Sequence, residues 1–386
     1  MLGEHIKILS GYAFKSKEFN EDGHGIPIVR IRDVGKKKSN TFYSGEFSEE
    51  YLLDNGDFLI GMDGDFRLAK WQGGKALLNQ RVCKIMPKES SLIKEYMYYM
   101  VPRELKKIED TTSFATVKHL SVKKIKDIKI PLPPLDQQKK IAAILDAADA
   151  YRQKTKALIE KYDELTQSLF LDMFGDPVTN PKGWGELEFK DIVIKEKNAI
   201  VDGPFGSSIK QIDYVDEGIP IIRINNVRNE GYYDAEYKYL RREKYLELIR
   251  SKVQQNDILI ARVGNTIGKA CVFNKSFEAL LSTTGVAKAS IDLSRYNLFF
   301  IIKMISLPIY KQYIMSFVQG AGQPYLNLSK IKLFKVIDVP FNLQNQFAER
   351  VQAIEAQKAQ AEASLAGAED LFNSLLQKAF KGELTS

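Results

Sequence analysis

The chain repeats itself once, and no other feature limits its fold as strongly. Gly25-Ile-Pro-Ile-Val-Arg-Ile-Arg-Asp-Val34 returns as Gly218-Ile-Pro-Ile-Ile-Arg-Ile-Asn-Asn-Val227. Gly56-Asp-Phe-Leu-Ile-Gly-Met-Asp-Gly64 returns as Asn256-Asp-Ile-Leu-Ile-Ala-Arg-Val-Gly264, and Leu120-Ser121 before Pro131 matches Leu328-Ser329 before Pro340. The period is about half the chain, so the repeat is a duplicated domain and not a solenoid of short units. Each half begins with Val- and Ile-rich alternating segments, such as Ile26–Val34 and Ile219–Val227, which predict short strands between glycine turns. A proline segment closes each mixed region: Pro131-Leu-Pro-Pro134 in one half, Pro340 in the other.

After each proline segment the pattern becomes helical. The first helix is expected from about Asp136, as N-cap, to Met173, ended by Gly175-Asp176-Pro177; the second runs from about Leu343 to Lys381, stopped by Gly382. In the first, Ile141, Ala148, Thr155, Tyr162 and Leu169 recur every seven residues, with Ile144, Tyr151, Leu158 and Leu165 as the second heptad position. In the second, Val351, Lys358, Leu365, Phe372 and Ala379 make one position, and Phe347, Ile354, Ala361, Ala368 and Leu375 the other. A seam sustained over four heptads predicts that the two helices pair as a coiled coil, with polar Thr155 and Lys358 on it. The competing expectation is an amphipathic helix lying on a domain core. Each helix is on the order of 55 Å long, against about 34–36 Å for one turn of B-DNA. The rod is expected to act as a spacer between two readers.

The expected fold class is therefore α+β: two globular domains related by duplication, 1–134 and 176–341, separated by two long antiparallel coiled-coil helices, 135–175 and 342–386. The 386 residues suffice for two cores, since 44% are hydrophobic. The net charge of +7 favours a polyanionic partner, though a solvated cationic face gives the same balance. Cys83 and Cys271 stand far apart in apolar runs, which predicts buried thiols in a reducing compartment. No basic segment followed by an apolar stretch opens the chain, and no apolar run could cross a bilayer. A cytoplasmic protein with no membrane partner is expected.

Catalytic motifs are missing. Gly264-Asn-Thr-Ile-Gly268-Lys269-Ala270 has the wrong spacing for a phosphate loop and ends in alanine. No Gly-x-Gly-x-x-Gly follows a strand, and the Asn/Asp-Pro-Pro-Tyr/Phe string of amino-methyltransferases is lacking. His5, His24 and His119 are too scattered for a triad or a metal site. His119 reads as structural or phosphate-facing.

Several segments resemble the specificity subunit of type I restriction-modification systems. They are Gly11-Tyr-Ala-Phe-Lys-Ser-Lys17, Gly25-Ile-Pro-Ile-Val-Arg-Ile31, Leu77-Leu-Asn-Gln-Arg81, Pro131-Leu-Pro-Pro-Leu-Asp-Gln-Gln-Lys139, Ser168-Leu-Phe-Leu-Asp-Met-Phe-Gly-Asp176 and Asp202-Gly-Pro-Phe-Gly-Ser-Ser-Ile-Lys210. The resemblance covers nearly the whole chain. It implies two target-recognition domains, each reading one half of a bipartite site on double-stranded DNA. It implies that the helices dock two methyltransferase subunits, and that a restriction nuclease-translocase joins for cleavage. S-adenosylmethionine, ATP and magnesium then belong to those partners, with no cofactor, metal or catalytic residue in this chain. The role that the resemblance implies is phage defence and DNA methylation through the complex.

Candidate DNA contacts follow from side-chain type and position. Phosphates are held by Lys, Arg, hydroxyls and backbone N–H groups; bases are read by Arg, Asn, Gln, Lys or Asp. Lys15, Ser16 and Lys17 occupy the place of Ser207, Ser208 and Lys210. Arg30, Arg32 and Asp33 pair with Arg223, Asn225 and Asn226; Arg30 and Arg223 equally suit a scaffold salt bridge, whereas the members that differ suit base choice. Asp63, Asp65, Arg67 and Lys70 follow one matched strand, and Arg262, Asn265, Thr266 and Lys269 surround the other. Gln80, Arg81, Thr112, Thr116, Thr283, Thr284, Gln319, Gln323 and Tyr325 complete the set. Two other function classes stay in competition: a single-chain DNA-modifying enzyme, and a coiled-coil scaffold that happens to be basic.

Overall fold

The structure is a computed structural model, described for residues 1–88, 90–112, 118–320 and 322–384. Packing divides it into two units, Met1–Ala157 with Glu362–Ser386, and Leu158–Ala361. Each unit holds one mixed domain and a piece of both long helices, so the division crosses the helices instead of following the reader and helix boundaries read from the sequence.

In the first unit an antiparallel sheet has the order Ile6–Ser10, Val82–Pro87, Phe58–Gly61, Leu68–Lys70. A second sheet has the order Phe19–Asn20, Phe42–Tyr43, Ile26–Val29, Ala76–Leu78, Leu52–Leu53, with one parallel pair between Ile26–Val29 and Ala76–Leu78. Helices α1 (Lys94–Thr111) and α2 (Val122–Lys126) follow, then α3 (Leu135–Phe174). The second unit repeats both sheets strand for strand: Ile200–Asp202, Val286–Ser290, Asp257–Ala261, Ala270–Val272; and Tyr214–Val215, Lys238–Leu240, Ile219–Ile222, Ala279–Leu281, Lys252–Val253, again with one parallel pair. It adds α4 (Arg242–Glu247), α5 (Leu298–Ser306), α6 (Pro308–Met315) and α7 (Leu328–Ile331), and then α8 (Phe341–Lys381).

The strand expected over Ile26–Val34 stops at Val29, and its partner over Ile219–Val227 stops at Ile222; a 3-10 turn follows each. The Ile-Arg-Ile alternation imitates a strand, but a short polar side chain three residues on captures the backbone. Asp33 accepts from the Arg30 amide at 3.1 Å, and Asn226 from the Arg223 amide at 2.9 Å.

The long helices begin one and two residues earlier than expected. Pro134 and Pro340 carbonyls accept the first helical amides, so Asp136 lies in the first turn and is not the cap. They pair antiparallel. In the first unit Arg152 stacks over the Phe372 ring and Lys156 meets Glu369 at 3.1 Å; in the second Lys358 meets Asp163 at 2.6 Å and Arg350 approaches Met173. On α8 both heptad positions lie on the seam: Val351 and Phe372 are buried, and Ile354, Leu365 and Leu375 half-buried. On α3 the first position does too, through Ile141 and Leu169. The second is one residue off. Ile144, Tyr151, Leu158 and Leu165 are 37–53% exposed, while Leu145 and Thr166 are buried and Arg152 and Ile159 half-buried. A polar Arg, Thr and Thr-bearing seam hides behind a more apolar outer stripe, and the hydrophobic pattern therefore pointed to the wrong neighbour.

Candidate nucleic-acid interface

In the first unit the site grows from the hairpin after Phe58–Gly61. The Met62 amide donates to the Arg81 carbonyl at 2.9 Å, the Leu120 amide to the Met62 carbonyl at 2.7 Å, and the Gly64 amide to the Lys118 carbonyl at 3.0 Å. Three separate loops therefore meet at Asp63. Its carboxylate lies 2.6 Å from His119 Nδ1 and 3.5 Å from Arg81 Nε. A cleft of about 280 Å³ beside it is lined by Arg32, Asp63, Asp65 and Arg67 among others. The Gln80 amide donates to the Tyr12 carbonyl at 2.8 Å, which brings in the loop of Lys15, Ser16 and Lys17, all exposed. Gly11 permits this approach: a Cβ there would sit 2.0 Å from the Asn79 oxygen.

The second unit builds the same junction with other side chains. The Arg262 amide donates to the Gly285 carbonyl at 2.9 Å, the Leu326 amide to the Arg262 carbonyl at 2.7 Å, and the Gly264 amide to the Pro324 carbonyl at 3.0 Å. These bonds equate Asp63, Arg81 and His119 with Val263, Gly285 and Tyr325. They also match Leu120-Ser121 to Leu326-Asn327, two residues before the match read from the sequence; Ser121 and Asn327 are the side-chain caps of α2 and α7. Gly203 repeats the role of Gly11, its Cβ position 2.2 Å from the Thr283 oxygen.

The candidates separate into groups. Asn265, Gln323, Tyr325 and Ser207 are exposed and Thr266, Lys269 and Ser208 half-buried around the second junction. Lys210 is exposed; its backbone amide and the Arg241 guanidinium hold the Asp213 carboxyl below the ordinary range. Arg32 is exposed and bonds Thr41 at 3.0 Å, and exposed Asn225 bonds Glu236 at 3.2 Å. Thr283 is exposed, Thr284 half-buried, and Gln319 accepts from the Tyr325 hydroxyl at 3.1 Å.

Three candidates are corrected because they are buried: Asp33, Asn226 and Arg262. Asp33 (5% exposed) and Asn226 (0%) are buried turn formers, so they cannot reach bases. Arg262 is 8% exposed, with Nε on the Leu326 carbonyl at 2.8 Å and Nη1 on Asp202 at 2.7 Å and the Thr284 carbonyl at 2.8 Å. It ties loops together and offers no free edge. Lys70 pairs in register with Phe58, at the opposite end of the hairpin from Asp63. Thr112 closes the end of α1 by donating to the Ile108 carbonyl at 2.6 Å. Arg30 and Arg223 are half-buried, Arg30 over the Phe19 ring and Arg223 donating to the Glu236 carbonyl, and neither forms a salt bridge among the described residues. Thr116 lies outside the described residues. His119 bonds the Asp63 carboxylate at 2.6 Å.

Comparison with known proteins bears on this geometry directly. The family model for the type I restriction modification DNA specificity domain matches residues 1–162 and again 181–365. The chain belongs to this family. It is a DNA-target-recognition subunit of a type I restriction-modification complex, a non-catalytic chain like the specificity subunits it resembles. It is 32% identical to the EcoBI specificity subunit of Escherichia coli, over 98% of this chain and 84% of that one. It is 22% identical to the MjaVIII specificity subunit of Methanocaldococcus jannaschii, over 92% and 85%. The fold matches the S subunit from M. genitalium with a TM-score of 0.54 at 15% identity, covering 98% and 94%. A chain from a type I system solved for complex assembly and conformational transition gives 0.56 at 15% identity, covering 98% of each. Among the described residues no single helix is long and apolar enough to cross a membrane, and no group of three or more His, Cys, Asp or Glu could hold a metal ion.

Proposed function

We propose that this specificity chain reads a two-part target on double-stranded DNA, one part per recognition domain, and carries two methyltransferase subunits on its helices. The observation that carries this reading is the junction built twice on one backbone plan with different side chains: Asp63, Arg81 and His119 in one unit, Val263, Gly285 and Tyr325 in the other. A common backbone suits a common way of approaching DNA, and unlike side chains suit unlike bases. The contacts are drawn from Lys15, Ser16, Lys17, Arg32, Asp63, Arg67, Gln80 and Arg81 in the first domain. In the second they are drawn from Ser207, Ser208, Lys210, Asn225, Asn265, Thr266, Lys269, Gln323 and Tyr325.

S-adenosylmethionine, ATP and magnesium serve the partner methyltransferase and nuclease-translocase, and the complex works in the cytoplasm. The apolar residues Leu158 and Leu165, exposed on α3, suit docking of a methyltransferase subunit. The test is selection of bound DNA from a random pool by the chain together with its methyltransferase. A gapped two-part motif with steeply salt-dependent affinity is expected; a continuous motif, or methyl transfer by this chain alone, would overturn the proposal.

A further inference from the structure

Resting on the DNA-recognition reading, we propose that Arg81 reads a guanine in the half-site of the first domain, with Asp63 as its positioning residue and His119 fixing Asp63. Arg81 has a φ of +71°, a left-handed backbone that non-glycine residues adopt uncommonly. Its side chain is 56% exposed. Asp63 holds it, and His119 holds Asp63. Asp63 Oδ2 lies 3.5 Å from Nε, and His119 Nδ1–H donates to Asp63 Oδ1 at 2.6 Å, so that nitrogen, 3.4 Å from Nη1, accepts nothing from the guanidinium. Nη2 has no hydrogen-bond partner among the described residues.

An exposed arginine steadied on its Nε side presents its outer edge as a preformed donor fork. Guanine offers the matching pair of acceptors, N7 and O6, in the major groove. A phosphate fits less well, because the Asp63 carboxylate beside the guanidinium repels it and offsets the positive charge. The equivalent position in the other domain is Gly285, beside Val263 and Tyr325, with no donor fork. The reading is thereby confined to one half-site.

The test maps methylated adenines made by the complex of this chain with its methyltransferase, for the parent and for Arg81→Gly, Arg81→Lys, Asp63→Ala and Asp63→Asn. Glycine accepts the left-handed backbone, and a thermal melt checks that each variant is folded. Arg81→Gly is expected to lose about 10- to 100-fold discrimination at one G·C pair of one half-site, the other half unchanged, as for loss of a bidentate contact. Arg81→Lys keeps the charge but not the fork, and is expected to relax the same pair. Asp63→Ala should weaken preference there alone, and Asp63→Asn, which keeps an oxygen for Nε, should restore it. Full stringency in folded Arg81→Gly would overturn the proposal, as would Arg81→Lys behaving as the parent. Equal loosening at every position in Asp63→Ala would overturn its positioning role. A parent complex giving no two-part motif would instead sink the DNA-recognition reading itself.

Discussion

Gln138 and Gln344 sit at the starts of the two long helices and make the same three hydrogen bonds. Gln138 accepts from the Ile93 amide at 2.9 Å and donates to the Pro133 and Ser91 carbonyls at 2.9 and 3.1 Å. Gln344 accepts from the Asn297 amide at 2.9 Å and donates to the Val339 and Arg295 carbonyls at 2.8 and 3.2 Å. Both are buried, at 1% and 0% exposure. Each fastens a helix start to its own reader through one amide side chain.

Replacing either glutamine by methionine keeps the volume but strands a buried amide and two carbonyls. A cost of about 2–4 kcal/mol is expected, given about 1–3 kcal/mol for each unpaired buried group and partial relaxation. Urea unfolding of Gln138→Met and Gln344→Met would measure it, and a change under 0.5 kcal/mol, on the order of a surface substitution, would contradict the fastening role.

Lys288 and Asp257 lie 3.2 Å apart at 4% and 3% side-chain exposure, and Ser290 donates to Asp257 at 2.5 Å. The matched pair in the first unit, Lys84 and Asp57, is 2.7 Å apart but 18% and 17% exposed. Breaking the deeper pair by Lys288→Met leaves a buried carboxylate without its counter-charge, held only by Ser290 and the Gln254 amide, and is expected to cost about 3–5 kcal/mol. Lys84→Met should cost clearly less, since water reaches its partner. Comparing the two denaturation midpoints checks the order, which reversal would refute.

Arg262 is buried and joins the loops of Asp202, Thr284 and Leu326. Arg262→Ala should therefore lower stability by about 1–3 kcal/mol, as for buried carbonyls left unpaired while Asp202 keeps water and Arg250, and weaken recognition across the whole second half-site. Loss confined to a single base pair, with stability unchanged, would return Arg262 to the readers. Methylation mapping beside a thermal melt separates these outcomes.

Burial raises the Cys83 and Cys271 thiols from their usual value near 9 to about 12. Each folded-state pKa lies above its unfolded one, so the stability contribution is fully present below about pH 9 and is lost as the pH rises towards 12. Neither thiol should react with a disulfide reagent at pH 8 in the native chain, and both should react in urea. Rapid native labelling at pH 8 would refute this.

The duplicated architecture was legible because it rests on local order: strand segments, glycine turns, prolines and helices recur in one sequence, and both helices lie within two residues of the expected bounds. Reading sites were less legible. Asp33 and Asn226 looked like paired readers because polar residues differ there, yet both serve the same buried turn. On α3 the choice between Leu145 and Ile144 could not be made from hydrophobicity, since both are apolar and only packing selects the side that faces α8.

Repeat, helix spacing and missing catalytic motifs thus follow from the amino-acid order alone, because each depends on residues near one another along the chain. Which arginine is a reader and which a tie depended on the tertiary structure. Arg81 and Arg262 both flank the matched strands, but Arg262 finds Asp202 and two carbonyls from distant loops and is buried. Arg81 finds one carboxylate at the surface and keeps its outer edge free.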